Sequence, residues 1–152
     1  RFGYSTKSAK SLEDSYTQSR SAGFGKEAKR RIMMGTFVSS TGYYDAYYKR
    51  AQIVRTKLIK EFDEAFKKVD FLVGPTTPSI AFEVGRKIND PLEMYLNDVM
   101  TVAANLVGVP AISIPVGFVD ELPVGLQIMA AQGKDRALLG MAHRIERKVA
   151  AK

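Results

Sequence analysis

Several residue types that carry chemistry are scarce or missing in this 152-residue sequence. It contains no cysteine and no tryptophan, and His143 is its one histidine. The lack of cysteine excludes disulfide bonds and thiolate metal sites. Because the acidic residues are scattered, a metal centre of carboxylates and one histidine is not predicted either. No apolar run approaches the ~18 residues that a membrane span requires, so we predict no membrane partner.

The start of the sequence carries no recognisable leader. Residue 1 is arginine rather than methionine, and no charged segment followed by an apolar stretch indicates a signal peptide. We therefore expect the chain to be a piece of a longer protein, and we expect a cytoplasmic location.

The motifs of common hydrolases and nucleotide-binding proteins are also missing. There is no Gly-x-Ser-x-Gly elbow, and His143 lies among basic residues with no nucleophile motif nearby. We predict that it is a surface residue of a helix. Neither a Gly-x-x-x-x-Gly-Lys loop nor a Gly-x-Gly-x-x-Gly motif occurs. The sequence therefore predicts no catalytic residue, no metal and no cofactor in this chain.

The positive charge is concentrated in the first part of the chain. The net charge is +7, yet residues 1–60 carry thirteen Lys and Arg against four Asp and Glu, whereas residues 61–152 carry ten against twelve. A basic surface of this kind can attract RNA through its phosphates. It is equally compatible with solvated helix faces, and the sequence leaves both interpretations open.

The hydrophobic pattern predicts an α/β fold with a mixed sheet flanked by helices. Residues 1–24 are polar and rich in serine, so they are expected to form a loop or an arm. Apolar residues spaced three and four positions apart predict a long helix over 43–68. Asp90, Pro91 and Glu93 form a helix-start signal of capping-box type, and Gly108 is the expected stop. The predicted elements are helices over 25–34, 43–68, 90–107 and 136–150, and strands over 70–74, 110–118 and 124–130.

Two sets of charged residues lie where burial would be costly without a partner. Asp98 lies inside an apolar helix, where aspartate lowers helix propensity, and Arg30 and Arg31 precede an apolar run. A carboxylate in a pocket can hold an ammonium group, and a guanidinium can grip a carboxylate with two hydrogen bonds. Together they would suit a free α-amino acid. An exposed turn at Asp98 and two solvated arginines explain the same residues equally well.

Three stretches resemble the amidase-signature family, and the similarity runs in register over about residues 1–150. They are GFGKEAKRRIMMGTFVSSTGYYDAYYKRAQIVRTKLIKEFDEAF, DFLVGPTTPSIAF, and DPLEMYLNDVMTVAANLVGVPAISIPVGF followed by LPVGLQIMA. The GYYDAYYK and YLND to ANLVGVPAIS stretches are typical of the transamidating branch, the glutaminase subunits of tRNA-dependent amidotransferases. The resemblance implies that residues 1–152 are a single-domain piece, the C-terminal part of an amidase-signature domain.

The resemblance also implies a function. The branch hydrolyses glutamine and passes ammonia to a partner subunit, which uses ATP and magnesium to amidate Glu-tRNA(Gln) or Asp-tRNA(Asn). Arg31 would hold the α-carboxylate of glutamine and Asp98 its α-amino group, with Arg30 as the alternative if the register shifts by one. No stretch matches the Ser-Ser-Lys catalytic signature, so the chain alone is expected to be inactive. The expected partners are glutamine, subunits B and C, and aminoacyl-tRNA through the complex.

Two other functions remain open at this point. The chain could belong to a different amide hydrolase of the same family that acts without tRNA. It could instead be a non-enzymatic RNA or partner-binding module, with residues 20–60 as the basic surface and a cluster of tyrosines stacking on bases. Tyrosines at helical spacing are more simply explained as packing residues. The tyrosines concerned are Tyr43, Tyr44, Tyr47 and Tyr48.

Overall fold

The protein is described by a computed structural model that covers residues 3–83 and 91–150. The chain divides into two compact units, Arg1–Gln52 and Ile53–Lys152. The expectation that residues 1–152 form a piece of one domain stays a prediction.

The first unit opens with a helix where the sequence predicted a loop or arm. Helix α1 spans Leu12–Gly23, so the loop prediction for residues 1–24 is wrong over this range. Ser11 is the N-cap, and its hydroxyl accepts from the backbone N–H of Asp14 at 3.1 Å. Gln18 donates to the carboxylate of Asp14 one turn away at 2.7 Å. These polar side-chain bonds stabilise a helix that buries no residue, which is why no apolar periodicity revealed it.

Three further helical segments follow α1 along the chain. Helix α2 spans Lys26–Val38 and so continues past residue 34, where the sequence predicted its end. The predicted helix over 43–68 is divided in two: a π-helix, π1, spans Tyr44–Lys49, and helix α3 spans Arg50–Phe66. The wider turn of π1 could not be anticipated, because an apolar period of three to four residues does not distinguish one extra residue per turn.

The second unit contains a three-stranded sheet in the order β1-β3-β2. The three strands and the final helix lie within a few residues of their predicted positions, whereas the single helix predicted over 90–107 is a pair of helices. Their bounds are β1 Phe71–Pro75, α4 Pro91–Asn97, α5 Val99–Val107, β2 Ala111–Val119, β3 Leu122–Ala130 and α6 Asp135–Ala150. The predicted α/β class with flanking helices is confirmed. Both pairings in the described residues are antiparallel, so this part of the chain shows no parallel pair of a mixed sheet.

The central position of β3 explains why parallel pairing is absent from the described sheet. Strands β1 and β2 run in the same direction, but β3 lies between them and pairs antiparallel with each. The β2–β3 hairpin closes through Asp120 and Glu121, whose φ angles are 48° and 63°. The register shifts between Pro115 and Gly117. A proline cannot donate to the ladder, so a bulge is where it is tolerated.

The core of the second unit lies between the sheet and α6. Alternate residues of a strand point to the same face, so one face presents Ile114, Ile128 and Ala130 to the helix. Leu138 and Ala142 of α6 cover them and are themselves buried. Burial of large aliphatic side chains stabilises a fold by ~1.5–3 kcal/mol each, so this cluster stabilises the packing of α6 on the sheet.

The predicted stop of the helix over 90–107 is confirmed, whereas its predicted start signal includes a residue outside the described ranges. Helix α5 ends at Gly108, whose φ of 80° is the left-handed conformation expected at such a stop, and the prediction is confirmed. The capping-box prediction rests on Asp90, which lies outside the described residues. Between the two helices, Asp98 is the residue at which the predicted single helix is interrupted.

Candidate functional site

Arg31 lies on helix α2 in the first unit and forms an ion pair along the helix. Its Nε donates to Oε1 of Glu27, one turn earlier, at 3.0 Å. Arg30 also contacts Glu27, through its terminal nitrogen. The Arg31 side chain is 52% exposed, so a ligand can reach it from solvent. The two arginines therefore share one carboxylate, and the helix holds Arg31 in a defined orientation.

The two arginines lower the pKa of the Glu27 carboxyl. The hydrogen bond from Arg31 is the main cause that lowers the pKa of Glu27 from its ordinary value of 4.5, and the charges of Arg30 and Arg31 add to it. Glu27 is consequently an anion at neutral pH. Any carboxylate ligand that binds Arg31 must share the guanidinium with this anion or displace it.

Asp98 lies in the second unit at the junction of α4 and α5. It is exposed and is the N-cap of α5, but its side chain makes no capping hydrogen bond to that helix. Its carbonyl oxygen instead accepts from the backbone N–H groups of Thr101 and Val102, both at 3.0 Å. The hydroxyl of Thr101 donates to the same oxygen at 3.0 Å. A negative charge at the start of a helix is favoured by the helix dipole, so the fold accommodates a carboxylate here.

The sheet face opposite α6 carries polar side chains and meets α5 across a cavity. Ser113, Gly125 and Gln127 lie on this face because strand residues alternate. A cavity of about 410 Å³ lies between the face and α5. Hydroxyl and amide side chains line it, interspersed with small apolar residues. The polar lining residues are Thr76, Thr101, Asn105, Ser113 and Gln127.

The two site residues predicted from the sequence belong to different units. Arg31 lies in the unit Arg1–Gln52, and Asp98 lies in the unit Ile53–Lys152. His143 is exposed on α6, as predicted. In residues 3–83 and 91–150 there is no group of three or more His, Asp and Glu side chains arranged to hold a metal ion.

Sequence reasoning missed the polar residues behind the junction that carries Asp98. Gln127 is buried, and its Nε2 donates to the carbonyl oxygen of Met100 at 2.8 Å. Thr76 and Ser113 share a hydrogen bond of 2.6 Å between their hydroxyls. The one available signal was a glutamine in the middle of the apolar strand LPVGLQIMA, because a buried amide requires a partner.

Comparison with known proteins agrees with this architecture. The Amidase family model matches residues 1–139. The chain belongs to the amidase family. The predicted family membership is thereby confirmed, and it accounts for the β2–β3 hairpin and the helices around it as part of a larger family fold.

Two curated relatives show how much of a longer protein this chain matches. The A subunit of glutamyl-tRNA(Gln) amidotransferase from Geobacillus thermodenitrificans is 56% identical over 146 residues, which is 96% of this chain and 30% of that protein. The protein of the same name from Sulfurihydrogenibium sp. is 51% identical over the same shares. This member of the amidase family thus spans about 30% of the length of the curated relatives it matches.

Solved structures show the same relationship in three dimensions. The A subunit of glutamyl-tRNA(Gln) amidotransferase from Thermotoga maritima has a TM-score of 0.63 and 43% identity, covering 90% of this chain and 29% of that one. A native peptide amidase from Stenotrophomonas maltophilia has a TM-score of 0.58 and 27% identity, covering 94% and 28%. The fold is therefore that of a portion of an amidase-family enzyme. None of the helices in residues 3–83 and 91–150 has the length and apolar character needed to cross a bilayer.

Proposed function

We propose that this chain is the C-terminal part of the glutaminase subunit of a tRNA-dependent amidotransferase, and that it supplies the residues that anchor glutamine. The observation that carries the proposal is the 56% identity to the A subunit of a glutamyl-tRNA(Gln) amidotransferase over 96% of the chain. The 43% identity to the Thermotoga maritima protein supports it. In this proposal the rest of the subunit contributes the reacting groups.

Arg31 and Asp98 have chemistry complementary to the two charges of a free amino acid. The guanidinium of Arg31 would bind the α-carboxylate of glutamine, where it competes with Glu27 for the same donors. The carboxylate of Asp98, at the start of α5, would bind the α-ammonium group. Both side chains are exposed in their own units, as residues that meet a soluble substrate must be.

The reaction follows from holding glutamine at these two ends. A serine of the remaining subunit would attack the side-chain amide carbon, ammonia would leave, and water would release glutamate from the acyl-enzyme. The ammonia would pass to a partner subunit that amidates activated Glu-tRNA(Gln) or Asp-tRNA(Asn). The partners in this proposal are subunits B and C, with ATP and magnesium bound outside this chain.

The test is ammonia release from glutamine, first by this chain alone and then by a chimera. In the chimera the chain replaces the matching 146 residues of the Geobacillus thermodenitrificans protein, co-expressed with that organism's partner subunits. We expect no release by the chain alone and clear release by the chimera. Release by the isolated chain would show a nucleophile within it and overturn the proposal, as would an inactive, folded chimera.

Single substitutions in the chimera test the two anchoring roles. Losing a charge-assisted bond of ~1.5–3 kcal/mol raises the KM for glutamine by about tenfold to a hundredfold, so we expect this for Arg31→Ala and for Asp98→Ala. Arg50→Ala and Asp63→Ala are matched controls on exposed helix positions and should leave KM unchanged. Arg30→Ala tests the neighbouring position. Equal KM values in Arg31→Ala and the unsubstituted chimera would contradict the role of Arg31.

A second candidate is an amide hydrolase of the family that acts without tRNA. The similarity to the peptide amidase of Stenotrophomonas maltophilia, which extends over 94% of this chain, is the observation that favours it. Such an enzyme would accept neutral amides that lack the charged ends of glutamine. Faster turnover of a blocked peptide amide than of glutamine by the chimera would support this candidate over the amidotransferase.

A further inference from the structure

Gln127 is a buried amide in the middle of the sheet. It is 4% exposed and lies on β3, on the face opposite its buried neighbour Ile128. Strand β3 pairs on both sides, with Leu72 to Gly74 and with Ile112 to Ile114 around this position. The backbone that carries Gln127 is thus held by two ladders. A side chain on such a strand is a rigid point from which a neighbouring element can be oriented.

The amide of Gln127 reaches the first turn of α5. Its Nε2 donates to the carbonyl oxygen of Met100 at 2.8 Å. A carbonyl has two lone pairs, so this oxygen can accept from Gln127 and still serve the helix. Met100 lies two residues after Asp98, and the carbonyl of Asp98 accepts from the backbone N–H and the hydroxyl of Thr101. One side chain of the sheet therefore fixes the turn that presents Asp98.

The Gln127 amide has few alternatives to this bond. The Gln127 amide is buried, and a buried amide left without a partner costs ~1–3 kcal/mol, so the fold strongly favours keeping the bond. Asp98 lies between the end of α4 and the start of α5. Its orientation is therefore not defined by the interior of either helix. The direction of the Asp98 side chain then depends on where the first turn of α5 is held.

We propose that Gln127 is a positioning residue for Asp98, and that it sets the affinity of the site for the α-ammonium group of its amino-acid substrate. The inference rests on the proposed function, in which Asp98 binds that group. Gln127 acts through the Met100 carbonyl and the first turn of α5 and does not touch the substrate. Removing its N–H donor leaves the Asp98 carboxylate present but less well placed.

The test compares two substrates in the chimera described above. Glutamine carries the α-ammonium group, and glutaramate is the same molecule without it. Gln127→Met keeps the length of the side chain and removes the donor. Since about 1.4 kcal/mol of lost binding is tenfold in an equilibrium constant, we expect kcat/KM for glutamine to fall about tenfold through KM. Turnover of glutaramate should change by less than about twofold, because this molecule lacks the ammonium group that Asp98 would bind.

Matched variants separate positioning from general damage. Gln132→Met makes the same change on an exposed glutamine just after β3 and should leave kcat/KM unchanged for both substrates. Asp98→Asn should produce the same selective loss, and the double variant Gln127→Met with Asp98→Asn should lose little more than Asp98→Asn alone. Gln127→Leu, which also lacks the amide donor and adds no charge, provides a second variant if Gln127→Met does not fold.

The outcomes distinguish this inference from the proposed function. In an active chimera, Gln127→Met could lower kcat/KM equally for glutamine and glutaramate. That result would overturn the positioning role and leave the proposed function intact. Full additivity of the losses from Gln127→Met and Asp98→Asn would have the same meaning. An unsubstituted chimera that does not discriminate between glutamine and glutaramate would also overturn it. If the folded, unsubstituted chimera releases no ammonia, the proposed function fails and the positioning role fails with it.

Discussion

The hydroxyl oxygens of Thr76 and Ser113 lie 2.6 Å apart, over the backbone of Gly125. The backbone N–H of Thr76 donates to the carbonyl oxygen of Gly125 at 3.1 Å, which draws the segment after β1 onto β3. A methyl group built on Gly125 would lie 2.6 Å from the Ser113 oxygen and 2.8 Å from the Thr76 oxygen. Only glycine leaves room for this pair of hydroxyls beside the polar cavity.

Gly125→Ala should therefore destabilise the protein. Either the hydroxyl pair separates or β3 shifts, and overpacking of this kind costs ~1–3 kcal/mol. The measurement is the free energy of unfolding in urea. Gly74→Ala is the matched control, because Gly74 lies on the adjacent strand β1 with no atom within 4 Å of its added methyl. Equal free energies of unfolding for the two variants would show that the hydroxyl pair yields without cost.

Leu138 and Leu139 are neighbours on α6 that should respond differently to truncation. Leu138 packs in the core against the sheet and is 3% exposed, whereas Leu139 is 60% exposed. Leu138→Ala leaves a cavity and should lower the free energy of unfolding by ~2–5 kcal/mol. Leu139→Ala should change it by less than about 0.5 kcal/mol, as surface substitutions usually do. Comparable losses in urea unfolding would mean that α6 is oriented differently.

The hairpin turn should gain stability from a glycine. Glu121 has a φ of 63°, and a residue with a Cβ in this left-handed conformation costs about 1–2 kcal/mol relative to glycine. Glu121→Gly should raise the midpoint of thermal unfolding by a few degrees, since about 1 kcal/mol corresponds to several degrees in a domain of this size.

A contrasting control for the turn is Glu146→Gly on α6. It should lower the midpoint of thermal unfolding, because glycine is unfavourable inside a helix by about 1 kcal/mol. A lower midpoint for Glu121→Gly itself would indicate that the glutamate side chain stabilises the turn.

The ion pair of Arg31 and Glu27 should be visible in a titration. The hydrogen bond from Arg31 lowers the pKa of Glu27 below 4.5. The unfolded chain has the ordinary, higher value, so the stabilising contribution of Glu27 is fully present above pH 4.5. It is lost as the pH falls through the lower pKa of the folded state. Carbon-13 NMR titration of the Glu27 carboxyl should give a pKa below 4.5.

The cause of the Glu27 shift is tested by neutralising its partner. In Arg31→Gln the pKa of Glu27 should rise towards 4.5, although the charge of Arg30 remains. Arg50→Gln removes a charge elsewhere on the chain and should leave the pKa unchanged. A pKa for Glu27 that is the same with and without the Arg31 side chain would contradict the observed geometry.

Elements with a strong local pattern could be predicted from the sequence. The hairpin strands β2 and β3 and the stop at Gly108 were predicted from neighbouring residues alone, and the structure places them within a few residues of those positions. Helix α1 could not be predicted in this way, because it buries no apolar face and is stabilised by the Ser11 cap and polar bonds such as that of Gln18 with Asp14. The local pattern also gave no indication of the π-helix over Tyr44–Lys49.

The candidate site shows the same division at the level of single residues. Asp98 attracted attention because a carboxylate in an apolar helix needs a reason, and the structure places it at the interruption between α4 and α5. Its role, and that of Arg31, stay predictions derived from a family resemblance. Gln127 could not be connected with Asp98 from the sequence, since 29 positions separate them and only strand pairing brings the amide to the Met100 carbonyl.

By itself, the sequence determined the class of fold and the family, because these depend on residue type and on spacing along the chain. The tertiary structure decided which strand is central, which face of β3 meets α6, and which buried amide supports the turn at Asp98. Those features depend on contacts between distant segments. Their free energy comes from packing and hydrogen bonds that no local pattern encodes.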